Sequence, residues 1–527
     1  MLRYFSFSFL LVLTTGSYAT RYYVHASATG NGTGLSWTNA YTDLQEALSV
    51  VIPGDEIWVA AGQYKPTSGS SRTIAFTLRN GVNTFGGFSG TETSLDQRDI
   101  ANNPTVLNGD IGNLGESGDN SHSVVKANSI NTNIIMDGFR IMNGYSASGS
   151  GYNGGGLNVQ NALNGNVLLR NCSFVNNYSG SAGGGIYMAS ANVTIDHCEF
   201  FNNQAGTGGD GGALYNGNNN GGYSTLEIHD CLFKNNSGRR GACIHGGLDF
   251  DRLAIDRSIF TNNVSTISII DLDGFSSASI SNCYIIGNNL FANSTANVLR
   301  IQTSADNEVM TMSNCTFAQN FSVNTTIGSE MIRVYGTSHR IVNSIVYGNT
   351  AYNGRQVSAG MGISNSIVQG GHTNGMAIID QDPLFVMPST ANNTNFDATL
   401  FDYTLQSTSP GINVGNNDLV DPLALLDLAG NDRIQGGVVD LGCYESNLFL
   451  DLPGSGLANE QMFFDAQQQE LRTLKATANV QVEILDLSGR TIKRFGMSGN
   501  ATLIDLPAGA YVAKATGYTA LRFVIED

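Results

Sequence analysis

His197, Asp230 and Arg257 stand at matching positions of three successive repeats, each preceded by another ionisable residue: Asp196, His229 and Asp256. No other stretch of the repeats is so dense in titratable groups. Close carboxylates are the equipment of glycosidic bond hydrolysis. A carboxylate cluster that binds calcium, with an Arg or Lys beside it as base, is the equipment of elimination from a uronate. The catalytic candidates are therefore Asp230, Arg257 and His197. The same residue types also suit solvated turns, which need no ligand.

Two further Asp-x-Asp pairs, Asp271 with Asp273 and Asp380 with Asp382, have the hard oxygen donors that calcium takes. As surface or turn residues they would bind nothing. Calcium is the one cofactor the composition allows for, and none is required. Tyr187, Tyr215 and Tyr223, with Tyr145 and Tyr152, lie in or beside Gly-rich loops. They would stack on sugar rings if exposed on one side, or pack between coils if not. The seven His show no HxH or HExxH spacing, and no GxSxG context offers a nucleophilic Ser.

A recurring phrase, apolar-x-polar-Cys/Ser-x-Phe/Ile/Val-x-x-Asn, must position these groups. Its copies begin at Leu169, Ile195, Ile228, Ile255, Ile280, Met312 and Ile341, with a weaker one at Ile363. Internal repeats of this length mark a solenoid whose units bury their apolar faces only by stacking. Inside each copy apolar residues alternate before the Cys/Ser (Val193, Ile195) and after it (Cys198, Phe200), which is the period of a strand. Between the two runs the phase slips by one residue, at Asn171, His197, Asp230, Arg257, Asn282, Asn314, Asn343 and Asn365. A slip of one would turn every side chain over unless the chain rounds a corner there. Each repeat is thus two short strands joined by a bend, closed by a variable loop that returns through Gly-Gly-aliphatic phrases such as Gly184-Gly185-Ile186.

Three columns follow from stacking. The apolar one runs Phe174, Phe200, Phe233, Phe260, Ile285, Phe317, Val346 and Val368. A second, Asn177, Asn203, Asn236, Asn263, Asn288, Asn320 and Asn349, suits left-handed backbone or an amide ladder. The third, Cys172, Cys198, Cys231, Cys283 and Cys315, shares its place with Ser258, Ser344 and Ser366, so it reads as a buried small-residue column; disulfides would need geometry that stacked neighbours need not supply.

The chain has 527 residues, 63 Gly and 13% charged residues, with a net charge of −17. That charge opposes nucleic acid and other polyanions as partners. Arg3, the apolar run Phe5 to Leu13 and the Ser17-Tyr18-Ala19 site read as a signal peptide over residues 1–19. The apolar run is too short for a permanent transmembrane anchor. Residues 20–110 carry a strand at Arg21–Val24 and an amphipathic helix (Tyr41, Leu44, Leu48, Val51) with a Thr42/Gln45 capping box, placed to plug the open end of the stack. Residues 111–446 are the body of the solenoid. Residues 447–468 read as a linker, and 469–527, where Val480, Val482 and Ile484 alternate, as a small β-sandwich.

The phrases SWTNAYTDLQEAL, GDEIWVAAGQYKP, GVNTFGGFSGTETSLDQRD and TVLNGDI resemble the start of secreted right-handed parallel β-helix proteins of Bacteroidetes type. The FxxN and GG-aliphatic phrases resemble the repeats of chlamydial polymorphic outer membrane proteins. IDQDPLF, YTLQSTSPGINVG, DLAGNDR and GGVVDLGCYE resemble the choice-of-anchor Q region, over about residues 340–446. The C-terminal V-x-I-x-D-x-x-G-R and L-x-x-G-x-Y phrases resemble a type A sorting domain of type IX secretion, without its usual Asn-Pro start. The resemblance implies an all-β, right-handed parallel β-helix with a helical cap, followed by the sandwich. It also implies the type IX machinery as a partner, removal of the tail, and a secreted or surface-attached monomer. The function expected is non-catalytic adhesion, or binding of a polysaccharide or cell-surface partner. The alternative is a polysaccharide lyase or glycoside hydrolase working on the outer face.

Overall fold

The computed structural model describes residues 19–446 apart from short loop segments (148, 150–151, 218–222, 247–249, 292–295, 303–308, 324–329, 337, 351–353, 390–399, 436). Beyond them it describes 462–465, 470–473, 480–486, 491–497, 501–503, 506–507, 509–515 and 521–525. The signal-peptide segment therefore lies outside the described residues, except for Ala19. The chain divides into two units, Met1–Leu448 and Phe449–Asp527.

The first unit is a parallel β-helix. Strands from successive coils pair in parallel, from Arg21–Val24 against Glu56–Ala60 through to Gly362–Val368 against Gly375–Ile379. In the central coils each turn has three main faces and a short fourth row. The first face is built from Leu157–Gln160, Ile186–Ala189, Leu214–Gly217, Ile244–Gly246, Ser268–Asp273 and Asn297–Gln302. The second runs through Val193–Asp196, Leu226–His229 and Leu253–Asp256, and the third through Ser173–Val175, Glu199–Phe201 and Leu232–Lys234. Tyr178–Ser179 and Gln204–Ala205 belong to the fourth row.

Corners form where the phase slips. Asn171, His197, Asp230, Arg257, Asn282, Asn314, Asn343 and Asn365 all have positive φ, between 43° and 53°. That one left-handed residue lets both flanking runs keep their apolar side chains inward. A second left-handed corner comes one residue before the Asn column, at Asn176, Asn202, Asn235 and Asn262. The left-handed role suggested for the Asn column therefore belongs to its neighbour, and the column itself makes the ladder.

In that ladder Asn236 donates its backbone N–H (2.8 Å) and Nδ2 (3.0 Å) to Asn263 Oδ1, and its Nδ2 also reaches the Phe200 carbonyl at 2.9 Å. The pattern repeats from Asn177 to Asn349. Gln356 ends it, accepting from Asn349 Nδ2 at 2.9 Å and donating to the Asn349 carbonyl. The Phe rings are fully buried and parallel, with centroids 5.0 Å apart for Phe174–Phe200, 4.6 Å for Phe200–Phe233 and 4.7 Å for Phe233–Phe260. All seven cysteines are free and buried, and Ser258 takes the same backbone N–H from Cys231 that Cys198 takes from Cys172. Gly184 permits close approach of coils: a Cβ there would lie 2.4 Å from the Gly212 carbonyl oxygen.

The N-terminal helix spans Leu44–Val50 and buries Leu44, Ala47 and Leu48 in the apolar core of the first coils. Its cap is Asp43, whose carboxylate accepts from the Gln45 N–H; the expected Thr42/Gln45 box is displaced because Gln45 Nε2 is spent on the Pro66 and Ala75 carbonyls. Among the described residues, those of 385–446 add no coil. They form an antiparallel pair, Phe385–Met387 with Asp402–Leu405, and loops that cover the outer side of the third face, where Tyr284, Ile286, Ala318 and Ile345 pack with Phe385, Tyr403, Leu441 and Cys443. The buried Arg433–Glu445 pair holds this cover, with Arg433 donating to Asn282 Oδ1 at 3.1 Å. The second unit has two antiparallel sheets, one of Met462–Asp465, Glu470–Thr473 and Ala501–Leu503, the other of Val480–Asp486, Thr491–Met497, Gly509–Ala515 and Leu521–Ile525. Its first strand lies within the segment read from sequence as a linker.

Candidate functional site

Two clusters on the outer surface of the β-helix carry the residues that could do chemistry. The first is the corner strip. Stacking brings His197, Asp230 and Arg257 onto adjacent coils, as their shared register demands. Arg257 donates to both oxygens of Asp230, at 2.8 and 2.7 Å, and also pairs with Asp256, which accepts from Asn282 Nδ2 at 3.0 Å. Arg170 bonds Asp196 at 3.0 Å, and the other Asp196 oxygen meets His197 Nδ1 at 2.6 Å. The hydrogen bonds it donates to Asp230, with the charge of Asp256, hold the Arg257 guanidinium above its usual pKa. An Arg held charged in this way is a poor base.

Asp196, His197 and Asp230 could each bring one ligand atom within 4.8 Å of the others, but their oxygens already face Arg170, His197 and Arg257. The strip is thus an ion-pair ladder across coils. Of its members His197 borders a groove of about 540 Å³, lined also by Pro104, Arg140, Ser173 and Glu199. The cover explains where the charges fall. The corner residues Asn282, Asn314 and Asn343 each bond the covering segment, through the Ala424, Asp440 and Asn416 carbonyls, whereas His197 lies on an uncovered coil and is 60% exposed at its side chain.

The second cluster lies on the first face. Register alone aligns Tyr187, Tyr215, His245, Asp271 and Arg300 as one outward row. Each follows an inward aliphatic residue: Ile186, Leu214, Ile244, Ile270 and Leu299. The Tyr187 and Tyr215 rings are stacked at 5.6 Å and 6°, and Tyr215 lies 5.0 Å from the His245 ring. Arg300 grips Asp271 with two bonds of 2.9 Å, and Ser268 donates to the same carboxylate. Asp271 is fully buried and His245 is 4% exposed. The site opens at Asp273 and Arg240, whose side chains are 17% and 35% exposed and 3.9 Å apart. Arg239 pairs with Asp210 at 2.9 Å on its rim.

Three polar atoms just beneath this opening, each shut off from solvent, have no hydrogen-bond partner: His245 Nδ1, Asp273 Oδ1 and Arg240 Nε. Buried polar groups are ordinarily satisfied, so a cluster of orphans beside stacked rings marks a place for a ligand. Burial first, and then the charge of Asp271, push the Asp273 carboxyl up to about 6. Burial also lowers the His245 imidazole, keeping it neutral.

Sequence reasoning named Tyr187, Tyr215, Asp271 and Asp273, but as two separate features; the fold joins them. It missed His245, Arg300 and Arg240. Aligning the chain on the aliphatic residue after each Gly-rich loop would have found His245; no such loop precedes Arg300. Tyr223, 59% exposed ahead of the strand Ser224–His229, takes no part in the stack. As calcium ligands Asp271 and Asp273 are poorly placed, because the Arg300 guanidinium, 3.9 Å from Asp273, occupies the position between them that a cation would take. Asp380 and Asp382 accept from the Gly370 and Leu384 backbone N–H groups, as turn residues do. Tyr145 stacks on Tyr178, and Tyr152 on His122. Among the described residues no helix is long and apolar enough to cross a membrane.

No protein-family model matches the chain, and no curated protein matches it by sequence. The chain is similar to several solved structures. The crystal structure of pectate lyase Pel9A is 15% identical, with 82% of this chain and 97% of that chain covered and a TM-score of 0.40. A rhamnogalacturonan lyase is 13% identical, with 66% and 87% covered and a TM-score of 0.41. A Yersinia enterocolitica family 28 exopolygalacturonase is 11% identical, with 69% and 77% covered and a TM-score of 0.26.

Proposed function

We propose that the chain is a glycan-binding β-helix protein and that the first-face row is its binding site. The observation that carries this reading is the grouping of His245 Nδ1, Asp273 Oδ1 and Arg240 Nε, all unpartnered, beside the stacked Tyr187–Tyr215 pair. Aromatic faces take the apolar side of a sugar ring, and a small set of fixed polar groups orients its hydroxyls. The rigid stack of coils pre-organises that row, so little ordering is needed on binding. The corner strip, with its ions matched to one another, serves as a structural ladder. Export through the signal peptide and the C-terminal sorting region, with tail removal and display at the cell surface or release, belongs to the same proposal. It rests on the sequence phrases alone.

A second reading has one observation in its favour. Asp273, whose carboxyl is pushed up to about 6, lies two residues from a second carboxylate, Asp271, held by Arg300, and paired carboxyls in unlike surroundings are how acid and base roles are divided. Asp271, with its oxygens on Arg300 and Ser268, is badly placed as nucleophile or base, which leaves Asp273 without a catalytic partner.

The test is a glycan array probed with the full chain, with calcium and with chelator, and scored also for new reducing or unsaturated ends. The expected result is binding that Y187A and Y215A abolish, with no ends released. Release of ends that D273N stops would establish the enzyme instead. Unchanged binding by both tyrosine variants would remove the site.

A further inference from the structure

The charges of the first-face site are matched within the protein. Asp210 faces Arg239 at 2.9 Å, Asp271 takes two bonds from Arg300, and Asp273 stands 3.9 Å from both Arg240 and Arg300. Three carboxylates meet three guanidinium groups, and no cation is left over for an anionic ligand. What is left over is hydrogen-bonding capacity: an acceptor at Asp273 Oδ1, a donor at Arg240 Nε, and His245 Nδ1. A sugar hydroxyl is both donor and acceptor and satisfies such a set; a carboxylate or sulfate cannot donate to Asp273.

Capturing an anion would mean drawing Arg300 from Asp271, and that would leave a fully buried carboxylate unpaired, a heavy cost. Tyr187, 8% exposed, packs between the coils and backs Tyr215, whose half-buried ring adds the uncharged stacking surface, and the net charge of −17 repels polyanions at longer range.

We infer, on the reading that this row binds glycan, that the site takes an uncharged glycan and rejects uronate or sulfated chains. The experiment is affinity electrophoresis of the full chain in gels holding laminarin, xyloglucan or galactomannan, against gels holding polygalacturonate, alginate or chondroitin sulfate. At least one neutral polymer should retard the protein, and Y215A should weaken that retardation at least tenfold. Y223A, off the row, should keep it, and no anionic gel should retard either form. Retardation by an anionic polymer that Y215A weakens would overturn the charge assignment and leave glycan binding standing. Retardation by no polymer, or retardation that Y223A abolishes and Y215A does not, would overturn both.

Discussion

Asp273 owes its properties to position. It is a carboxylate placed beside another carboxylate, with its Oδ1 bonded to nothing, and burial with the Asp271 charge raises it from its usual value near 3.8 to about 6. The folded chain therefore keeps a proton that the unfolded chain loses near 3.8. The stabilisation from that proton is whole below the unfolded value and is lost as pH rises through about 6. D273N, which cannot titrate, should remove this dependence. Melting temperatures of wild type and D273N from about pH 4 to 7 should show the wild type losing ground to the variant as pH rises. A constant difference would mean that Asp273 is an ordinary exposed acid. Arg257 shows the opposite arrangement: its bidentate bond to Asp230 and its contact with Asp256 keep it charged at any pH of interest.

At the level of the element, the columns hold the coils together. Asn263 accepts two bonds from Asn236 and donates two of 2.9 Å, to the Phe233 carbonyl and to Asn288 Oδ1. N263A orphans a buried backbone N–H, at about 1–3 kcal/mol, and removes further bonds at about 1 kcal/mol each. The expected loss is about 4–6 kcal/mol, at least that of F233A at about 3–5 kcal/mol. Denaturant unfolding measures it, and a loss below about 1 kcal/mol would show that the ladder is incidental. These columns were legible in the sequence because stacking repeats a residue's environment once per coil, so Phe174, Asn177 and Cys172 each recur in register. The left-handed corner was legible too, as a slip in phase at residues as unlike as Asn171, His197 and Arg257. The first-face row was not, because loops of unequal length separate Tyr187, Tyr215, His245 and Asp271, and after the two tyrosines no side-chain type repeats along it. Pairing Ala189 with Gly217, or Asp271 with Arg300, is visible only once the strands are laid side by side. The cover was also hidden. Arg433 reaches Asn282 across 151 residues, a contact that no periodicity announces.

For the molecule as a whole, the stack divides its surface by what shields it. Leu44, Ala47 and Leu48 close one end of the first core, as an open-ended solenoid requires. Residues 385–446 shield the later coils of the third face. The first-face row offers a ligand the Tyr215 ring and unfilled hydrogen bonds; the groove beside His197 offers volume, and the corner ions next to it are matched to one another. The most direct measurement is a crystal structure of the full chain with an oligosaccharide that retards it. The sugar ring should lie on Tyr215, with its hydroxyls bonded to Asp273, His245 and Arg240. An oligosaccharide seated instead in the groove by Arg140, His197 and Glu199, with the first-face row empty, would contradict the account.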